Sequence, residues 1–344
     1  MVDPTPGIGA SPPMSPKATA VRRAQPAPAE SPRRPVMLAI AGDSAAGKTT
    51  LTRGLVQALG SDRVTGMCVD DYHRYDREER KSLPFTPLHP ECNYIGIMEQ
   101  HLQLLATGQP ILKPVYDHAT GMLTRPELLE PREFIIIEGL LPLHTSLSRS
   151  CFDVTVYLDP DEDVRRMWKI RRDCTKRGYT EDQVLAELER REPESEAFIR
   201  PQRAHADMVV AFAPGEDTSL DDPLGATVLL RPTGRHLDLS AVVTDDSGEA
   251  LHLKLIRDDD GRPVDALHVH GSALREVSVS VERHVWEILG LPGEPPDSLG
   301  RLDSGERTEP LALIELILLY QMLSIETGAG TATLTPELGE AGTA

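Results

Sequence analysis

Gly42, Gly47, Lys48 and Thr49 are spaced to hold a chain of phosphates. Asp43, Ser44, Ala45 and Ala46 separate the two glycines, so the stretch fits G-x-x-x-x-G-K-[ST], and Thr50 follows it into the next element. The glycines let the backbone turn tightly with its N–H groups facing inward, which makes an anion nest at a helix N-terminus. Lys48 places a compact charge on the β- and γ-phosphates, and the Thr49 hydroxyl suits Mg²⁺. A chance Gly-Lys-Thr in an ordinary strand-turn-helix is the competing reading. It is disfavoured because the apolar run from Val36 precedes the loop and an amphipathic stretch from Leu51 to Leu59 follows it, as the pattern requires. The expected ligand is a nucleoside triphosphate.

Phosphorylating a hydroxyl also needs a metal site and a carboxylate near the acceptor oxygen. Asp70-Asp71 follows the apolar segment Val64 to Val69, and one of the pair could take the acceptor proton. Paired aspartates also serve as turns and caps, and the phosphate loop is what turns the balance towards chemistry. Glu138, after the apolar Phe134 to Ile137, stands where an acid could hold Mg²⁺ directly or through water, although any strand-end acid would look the same. Arg165, Arg166, Lys169, Arg171, Arg172 and Arg177, with Arg190 and Arg191, concentrate positive charge around Asp173. Such a set binds phosphates and stabilises a transferring phosphoryl group, whereas its plain reading is a solvated helix face with i,i+4 ion pairs. His73, Arg77 and Lys81 form a second cationic set that could meet a phosphate already on the substrate.

Positioning these groups requires strands alternating with helices. Strands are expected at 36–41, 64–69, 134–137, 154–158 and 206–211, and helices at 51–59, 97–106, 161–176 and 180–191. Gly178 stops the third helix, and Thr180 with Gln183 makes a capping box for the fourth. Residues 81 to 96 read as irregular. The implied fold is α/β, a doubly wound, mainly parallel sheet of the P-loop NTPase type, with ligands at the C-terminal strand edge. There Asp70 stands at the mouth of a strand expected to neighbour that of the phosphate loop. From about Gly215, segments at 226–231, 251–256 and 264–270 suggest antiparallel strands, and two helices close the chain at 278–289 and 309–324, the last apolar nearly all round and therefore buried. The organisation expected is a disordered Pro/Ala-rich tail at 1–35, the nucleotide-binding domain at 36–214, a smaller C-terminal strand-and-helix appendage at 215–326 and a flexible end at 327–344.

The 344 residues carry a formal net charge of −18. Residues 1–35 hold nine prolines and a net +3, leaving −21 for the rest, a poor balance for binding nucleic acid. Cys68, Cys92, Cys151 and Cys174 have no C-x-x-C spacing, so neither a disulfide framework nor a structural zinc site is indicated. No apolar run reaches the ~20 residues that cross a bilayer. The expectation is a soluble, cytoplasmic protein with no membrane partner.

Seven blocks taken together resemble the phosphoribulokinases of the wider phosphoribulokinase and uridine kinase family: Gly42 to Thr49, Val69-Asp-Asp-Tyr-His-Arg-Tyr-Asp-Arg77, Lys113 to Gly121, Ile137 to Pro142, Lys169 to Asp173, Lys176 to Thr180 and Pro201 to Asp207. The resemblance is close over residues 36–212 and loose beyond. It implies ATP- and Mg²⁺-dependent phosphorylation of the C1 hydroxyl of ribulose 5-phosphate, with Asp70 as general base and His73, Arg77, Lys81, Tyr116 and His118 on the sugar phosphate. It places Thr49, Glu138 and Asp173 at the metal, and Lys48, Lys169, Arg172 and Arg177 among catalytic and lid cations. Alternatives are a uridine or other small-metabolite kinase and a non-catalytic nucleotide-binding regulator.

The Asp-Asp-Tyr-His block resembles the plant and cyanobacterial branch, rather than the Asp-Ala-Phe-His of other bacterial relatives, and this makes a homodimer the favoured assembly. Plant-like relatives also resemble one another in a phosphate-loop Cys that pairs with a Cys two residues before the base. Cys68 matches the second, but Ala45 and Ala46 stand in the loop. Mild oxidant should therefore leave activity intact. A dithiothreitol-reversible loss traced by mass spectrometry to a Cys68 disulfide would overturn this.

Overall fold

Val36–Gly42 (β1) is buried along its whole length, because it forms the middle of a sheet covered on both faces. Its side chains alternate accordingly: Leu38 and Ile40 face one apolar cluster, while Met37, Ala39 and Ala41 face two others. The chain is seen here in a computed structural model, which describes residues 34–327 except 216, 217, 221, 233–238, 240–242 and 244–249. Both expected tails lie outside the described residues, apart from 34, 35 and 327.

After β1 come Lys48–Leu59 (α1), Val64–Cys68 (β2), Ile95–Ala106 (α2), Ile111–Asp117 (β3), Met122–Leu129 (β4) and Phe134–Gly139 (β5). Then follow Ser146–Arg149 (α3), Val154–Leu158 (β6), Glu162–Arg177 (α4), Glu181–Glu194 (α5), Met208–Ala213 (β7), Gly225–Leu230 (β8), Leu251–Arg257 (β9), Pro263–Val269 (β10), Arg275–Ile288 (α6) and Glu309–Thr327 (α7). The main sheet has the order β2-β5-β1-β6-β7-β8-β10-β9. The first five strands of that order are parallel and the last three antiparallel. This is the doubly wound sheet expected, and the chain leaves β1 towards β2 and β5 on one side and returns to β6 on the other. Ligands of such sheets collect at that switch point.

Local signals behave as written. Asp161 caps α4, its carboxylate accepting from the Asp163 N–H at 2.9 Å, and Gly178 ends the helix at φ 73°. Thr180 and Gln183 form the capping box of α5. The expected strand at 206–211 begins two residues later, at Met208.

Two features differ from expectation. The strand before Asp70 does not neighbour β1, because β5 lies between them. The C-terminal strands are antiparallel as expected, and because β8 pairs with β7 they prolong the same sheet, while α7 shares the apolar cluster of β1 and α1. Residues 111–129 form an unexpected two-stranded hairpin, β3–β4, outside the main sheet. Pro114 and Pro126 hid it; proline is tolerated in such edge strands, and the register shifts between Lys113 and Val115.

Helix α7 packs closely on α1 behind the phosphate loop. A Cβ on Gly54 of α1 would fall 1.8 Å from Glu315 Oε1 of α7, so only glycine admits this approach. Glu315 is fully buried; its Oε2 accepts from the Gly300 N–H at 2.8 Å, and its Oε1 has no hydrogen-bond partner among the described residues. Burial pushes its carboxyl up to about 8, against the Gly300 N–H and the Arg307 and Arg53 charges. The folded chain thus holds a proton that the unfolded chain releases in the ordinary carboxylate range. Stability is therefore full below that range and falls as pH rises towards 8. The wild-type protein should lose on the order of a few kcal/mol between pH 5 and pH 8 by this route, and Glu315→Gln should flatten that slope in urea titrations. Parallel slopes for the two proteins would count against a protonated Glu315.

Candidate active site

The parallel register aligns three strand ends. Cys68 and Ile40 both pair across to Glu138, so β1, β5 and β2 deliver the phosphate loop, Glu138 and Asp70 to one edge. Close approach demands glycine at two of these ends. A Cβ on Gly42 would meet the Leu158 carbonyl oxygen at 2.7 Å, and one on Gly139 would meet Val69 Cγ2 at 2.2 Å. A cleft of about 1990 Å³ opens above them.

On the donor side, the Lys48 ammonium bends back to the carbonyls of Gly42 (2.8 Å) and Asp43 (2.7 Å). Thr49 Oγ1 donates to the Glu138 carboxylate, 3.1 and 3.2 Å from its two oxygens. Burial raises the Glu138 carboxyl, while Lys48 and the Thr49 hydroxyl oppose the rise. Asp43 is a brace for the loop: it accepts from the Ser44 N–H at 2.6 Å and from the Ser195 hydroxyl, and Arg165 lies 3.6 Å away. Ala45 holds a left-handed φ of 67°, a strained conformation for a side chain at the tip of the loop. Ala46 packs into the core and Thr50 lines the cleft.

Helix α4 lies across this loop. Arg172 reaches Ser44 Oγ at 3.3 Å, and the Trp168 ring lies over Gly47. Asp173, as the clustered charges suggest, is the hub of the cations: Lys169 donates at 2.9 Å, Arg172 at 2.8 Å, and Arg177 stands at 3.4 Å. Burial would raise the Asp173 carboxyl, but the Arg172 and Lys169 hydrogen bonds prevail and hold it at about 2. Burial and the neighbouring Arg191 bring Lys169 down to about 8 despite Asp173. With its oxygens so engaged, Asp173 orders the lid cations; a metal role for it rests on the resemblance alone, whereas Thr49 and Glu138 do stand together.

The acceptor side separates the two aspartates. Asp71 is taken up by the Lys113 ammonium at 2.5 Å and the Tyr116 N–H at 3.0 Å, which ties β3 to the turn after β2. No hydrogen bond or ion pair engages the Asp70 carboxylate among the described residues, and it lines the cleft. His73 is buried; the Asn93 amide donates to the carbonyls of Pro87 and His89 and so presents its oxygen to His73 Nδ1 at 2.7 Å. That assigns the proton to Nδ1 and leaves Nε2 an acceptor. Burial lowers His73 to about 4, so the ring is neutral. Tyr116 packs edge-on to His73 and His118, with ring centres 4.9 and 5.0 Å away. Arg77 donates to the His118 carbonyl at 2.6 Å.

The cations at 77–81 divide differently from expectation. Lys81 lines the cleft but pairs with Glu78 at 2.7 Å and is two-thirds exposed. Arg80, which the sequence reading passed over, lies over the Tyr116 ring at 4.8 Å and donates to its hydroxyl. Residues Glu79–Ser82 wind as a 3₁₀ turn, in which Arg80 and Lys81, one residue apart, point in different directions. No local signal separated the two in sequence. Asn93 and Lys113 carried none, because their roles depend on partners far away in sequence.

A parallel sheet ending in a phosphate loop, with a basic helix lying across it, defines a P-loop fold of the kind that binds nucleotides. The chain belongs to the phosphoribulokinase / uridine kinase family, whose sequence model matches residues 37–219. It is 42% identical over 181 residues to a phosphoribulokinase of Synechocystis sp., covering 53% of this chain and 54% of that one. It is 34% identical over 209 residues to a chloroplastic phosphoribulokinase of Spinacia oleracea, covering 56% and 52%. A uridine kinase of Chloroflexus aurantiacus is 31% identical over 181 residues, 51% of this chain and 86% of that one. The chain thus spans about half the length of the phosphoribulokinases it matches. Among solved structures, a phosphoribulokinase from Rhodobacter spheroides shares the fold at a TM-score of 0.54 and 16% identity, covering 71% of this chain and 93% of that one.

The unequal aspartates give a direct test. Asp71→Asn strands the Lys113 ammonium and should cost on the order of 3 kcal/mol, read as a lower urea midpoint. Asp70→Asn should leave the midpoint unchanged. Equal effects would mean that the pair acts as one structural unit.

Proposed function

We propose that the protein transfers the γ-phosphoryl group of ATP to the C1 hydroxyl of ribulose 5-phosphate, giving ribulose 1,5-bisphosphate and ADP. The observation that carries this reading is the unpaired Asp70 carboxylate facing the phosphate loop amid His73, Arg77, Arg80, Tyr116 and His118. Similarity to named phosphoribulokinases at up to 42% identity supports the choice of acceptor.

The nucleotide phosphates lie against the backbone N–H groups of residues 43–48, with Lys48 turning from the Gly42 and Asp43 carbonyls to the β- and γ-phosphates. Thr49 and Glu138 offer hard oxygen donors side by side and fit Mg²⁺. When bound, the ion neutralises charge on the phosphates. Arg77 and Arg80 hold the sugar's own phosphate, and neutral His73 accepts from a sugar hydroxyl through Nε2. Asp70 takes the proton of the acceptor hydroxyl as its oxygen bonds to the γ-phosphorus. The bond from that phosphorus to the bridging oxygen breaks, ADP leaves, and Asp70 later sheds its proton to water. Lys169, Arg172 and Arg177, gathered by Asp173, stabilise charge on the group in flight.

Four free thiols and, among the described residues, no helix long and apolar enough to cross a membrane fit a cytoplasmic placement. A homodimer is supported by the cross-strand pair Leu112 and Leu128, 61% and 66% exposed on the hairpin.

A uridine kinase reading draws on the long coverage of the Chloroflexus aurantiacus relative. An ADP-release assay over ribulose 5-phosphate, uridine, cytidine and pantothenate separates the readings. Turnover with ribulose 5-phosphate alone is expected, with Asp70→Asn lowering kcat by ~10² or more at nearly unchanged ATP affinity. Turnover with a nucleoside alone favours the second reading, and nucleotide binding without transfer to any acceptor indicates a regulator.

A further inference from the structure

Cys68 ends β2, Asp70 opens the turn that follows, and His118 hangs over both from the β3–β4 turn. One sulfur, one carboxylate oxygen and one ring nitrogen of these residues all lie within 4.8 Å of one another. We propose that Cys68, Asp70 and His118 form a site for a thiophilic divalent cation such as Zn²⁺, which on binding occupies the acceptor pocket and stops phosphoryl transfer.

The donor set is what selects the ion. Thiolate, imidazole and carboxylate together suit Zn²⁺, and neighbouring ligands of a tetrahedral zinc stand about 3.5 Å apart at the usual bond lengths, so small side-chain rotations close the triangle. Three protein ligands leave a fourth position for water. Mg²⁺, a hard ion that prefers oxygen, has the neighbouring Thr49–Glu138 pair instead, so the two ions need not compete. Charge favours entry as well. Asp70, Asp71 and Glu138 act on the Cys68 thiol, while Arg80 and Arg177 beside His118, with Arg77 on its carbonyl and Lys48 near Glu138, oppose an incoming dication. Binding releases the thiol proton to solvent, Zn²⁺ and R–SH giving R–S–Zn⁺ and H⁺. One thiolate and one carboxylate then balance the ion, so the finished site is neutral and the arginines no longer repel it.

The inhibitory consequence rests on the kinase reading, in which Asp70 is the base and His118 an acceptor-site residue. A bound Zn²⁺ would remove both from service without touching the phosphate loop. Inhibition should therefore weaken as ribulose 5-phosphate is raised and should not respond to ATP. Because dithiothreitol also binds zinc, it would restore activity without any disulfide having formed.

The test uses the full chain and Co²⁺ as a spectroscopic stand-in for Zn²⁺, a readout that needs no substrate. Co²⁺ should produce a thiolate charge-transfer band in the near ultraviolet, which Zn²⁺ displaces and Cys68→Ser removes while Cys174→Ser keeps it. In the unmutated protein, Zn²⁺ should slow alkylation of Cys68 by iodoacetamide at least tenfold, as read by mass spectrometry; this arm stands even if Cys68→Ser folds poorly. In the assay, Cys68→Ser should turn over normally and need at least tenfold more Zn²⁺ for half inhibition. A band that persists in Cys68→Ser, no band at saturating Co²⁺, or unprotected Cys68 overturns the site. Unchanged zinc sensitivity in Cys68→Ser overturns the inhibitory role. A band in a protein that ignores ribulose 5-phosphate would support the metal site and refute only the choice of acceptor.

Discussion

The site hangs on the hydrogen-bonded register that holds β5 between β1 and β2. Ile40, Glu138 and Cys68 are fixed abreast by that ladder. Two residues past Ile40 the phosphate loop begins, and two residues past Cys68 stands Asp70. A slip of one residue would turn every side chain of a strand to the opposite face. Both faces are filled here, with Phe134 and Ile136 in one cluster and Ile135 and Ile137 in another, so a slip is resisted along the whole strand. Apolar burial thereby sets the separation between the phosphate loop and Asp70.

Over this frame the charges are sorted rather than scattered. The chain is strongly acidic, yet the cleft collects lysines and arginines and gives the buried acids there separate duties. Asp43 steadies the phosphate loop, Asp71 anchors Lys113, Asp173 gathers the lid, and the Asp70 carboxylate has no hydrogen bond or ion pair among the described residues. Each of the first three is engaged by hydrogen bonds or ion pairs. The fourth lines the cleft, where the proposed function uses it as the base.

Much of this was legible in the sequence. Gly42 to Thr49, Glu138, the capping box at Thr180 and the buried C-terminal helix follow from spacing and periodicity, which are local. The neighbour of β2 was not legible, because strand order is decided by packing across the sheet. The β3–β4 hairpin was obscured by Pro114 and Pro126. The choice between Lys81 and Arg80 depended on the winding of one short turn, and that between Asp70 and Asp71 on Lys113, 42 residues away. What sequence reasoning missed were long-range pairings of polar groups.

The hairpin gives the molecule a division of labour. The nucleotide half of the cleft is cut into the ends of the main sheet, whereas Tyr116 and His118 ride on a two-stranded piece outside it. That piece is joined to the turns after β2 by the Lys113 and Tyr116 contacts with Asp71 and by the Arg77 contact with the His118 carbonyl. Such an arrangement lets the hairpin be reshaped without disturbing the strands that cradle phosphate. Under the proposed function, a change of acceptor could therefore be confined to the hairpin and the turns it touches, leaving the phosphate loop as it is.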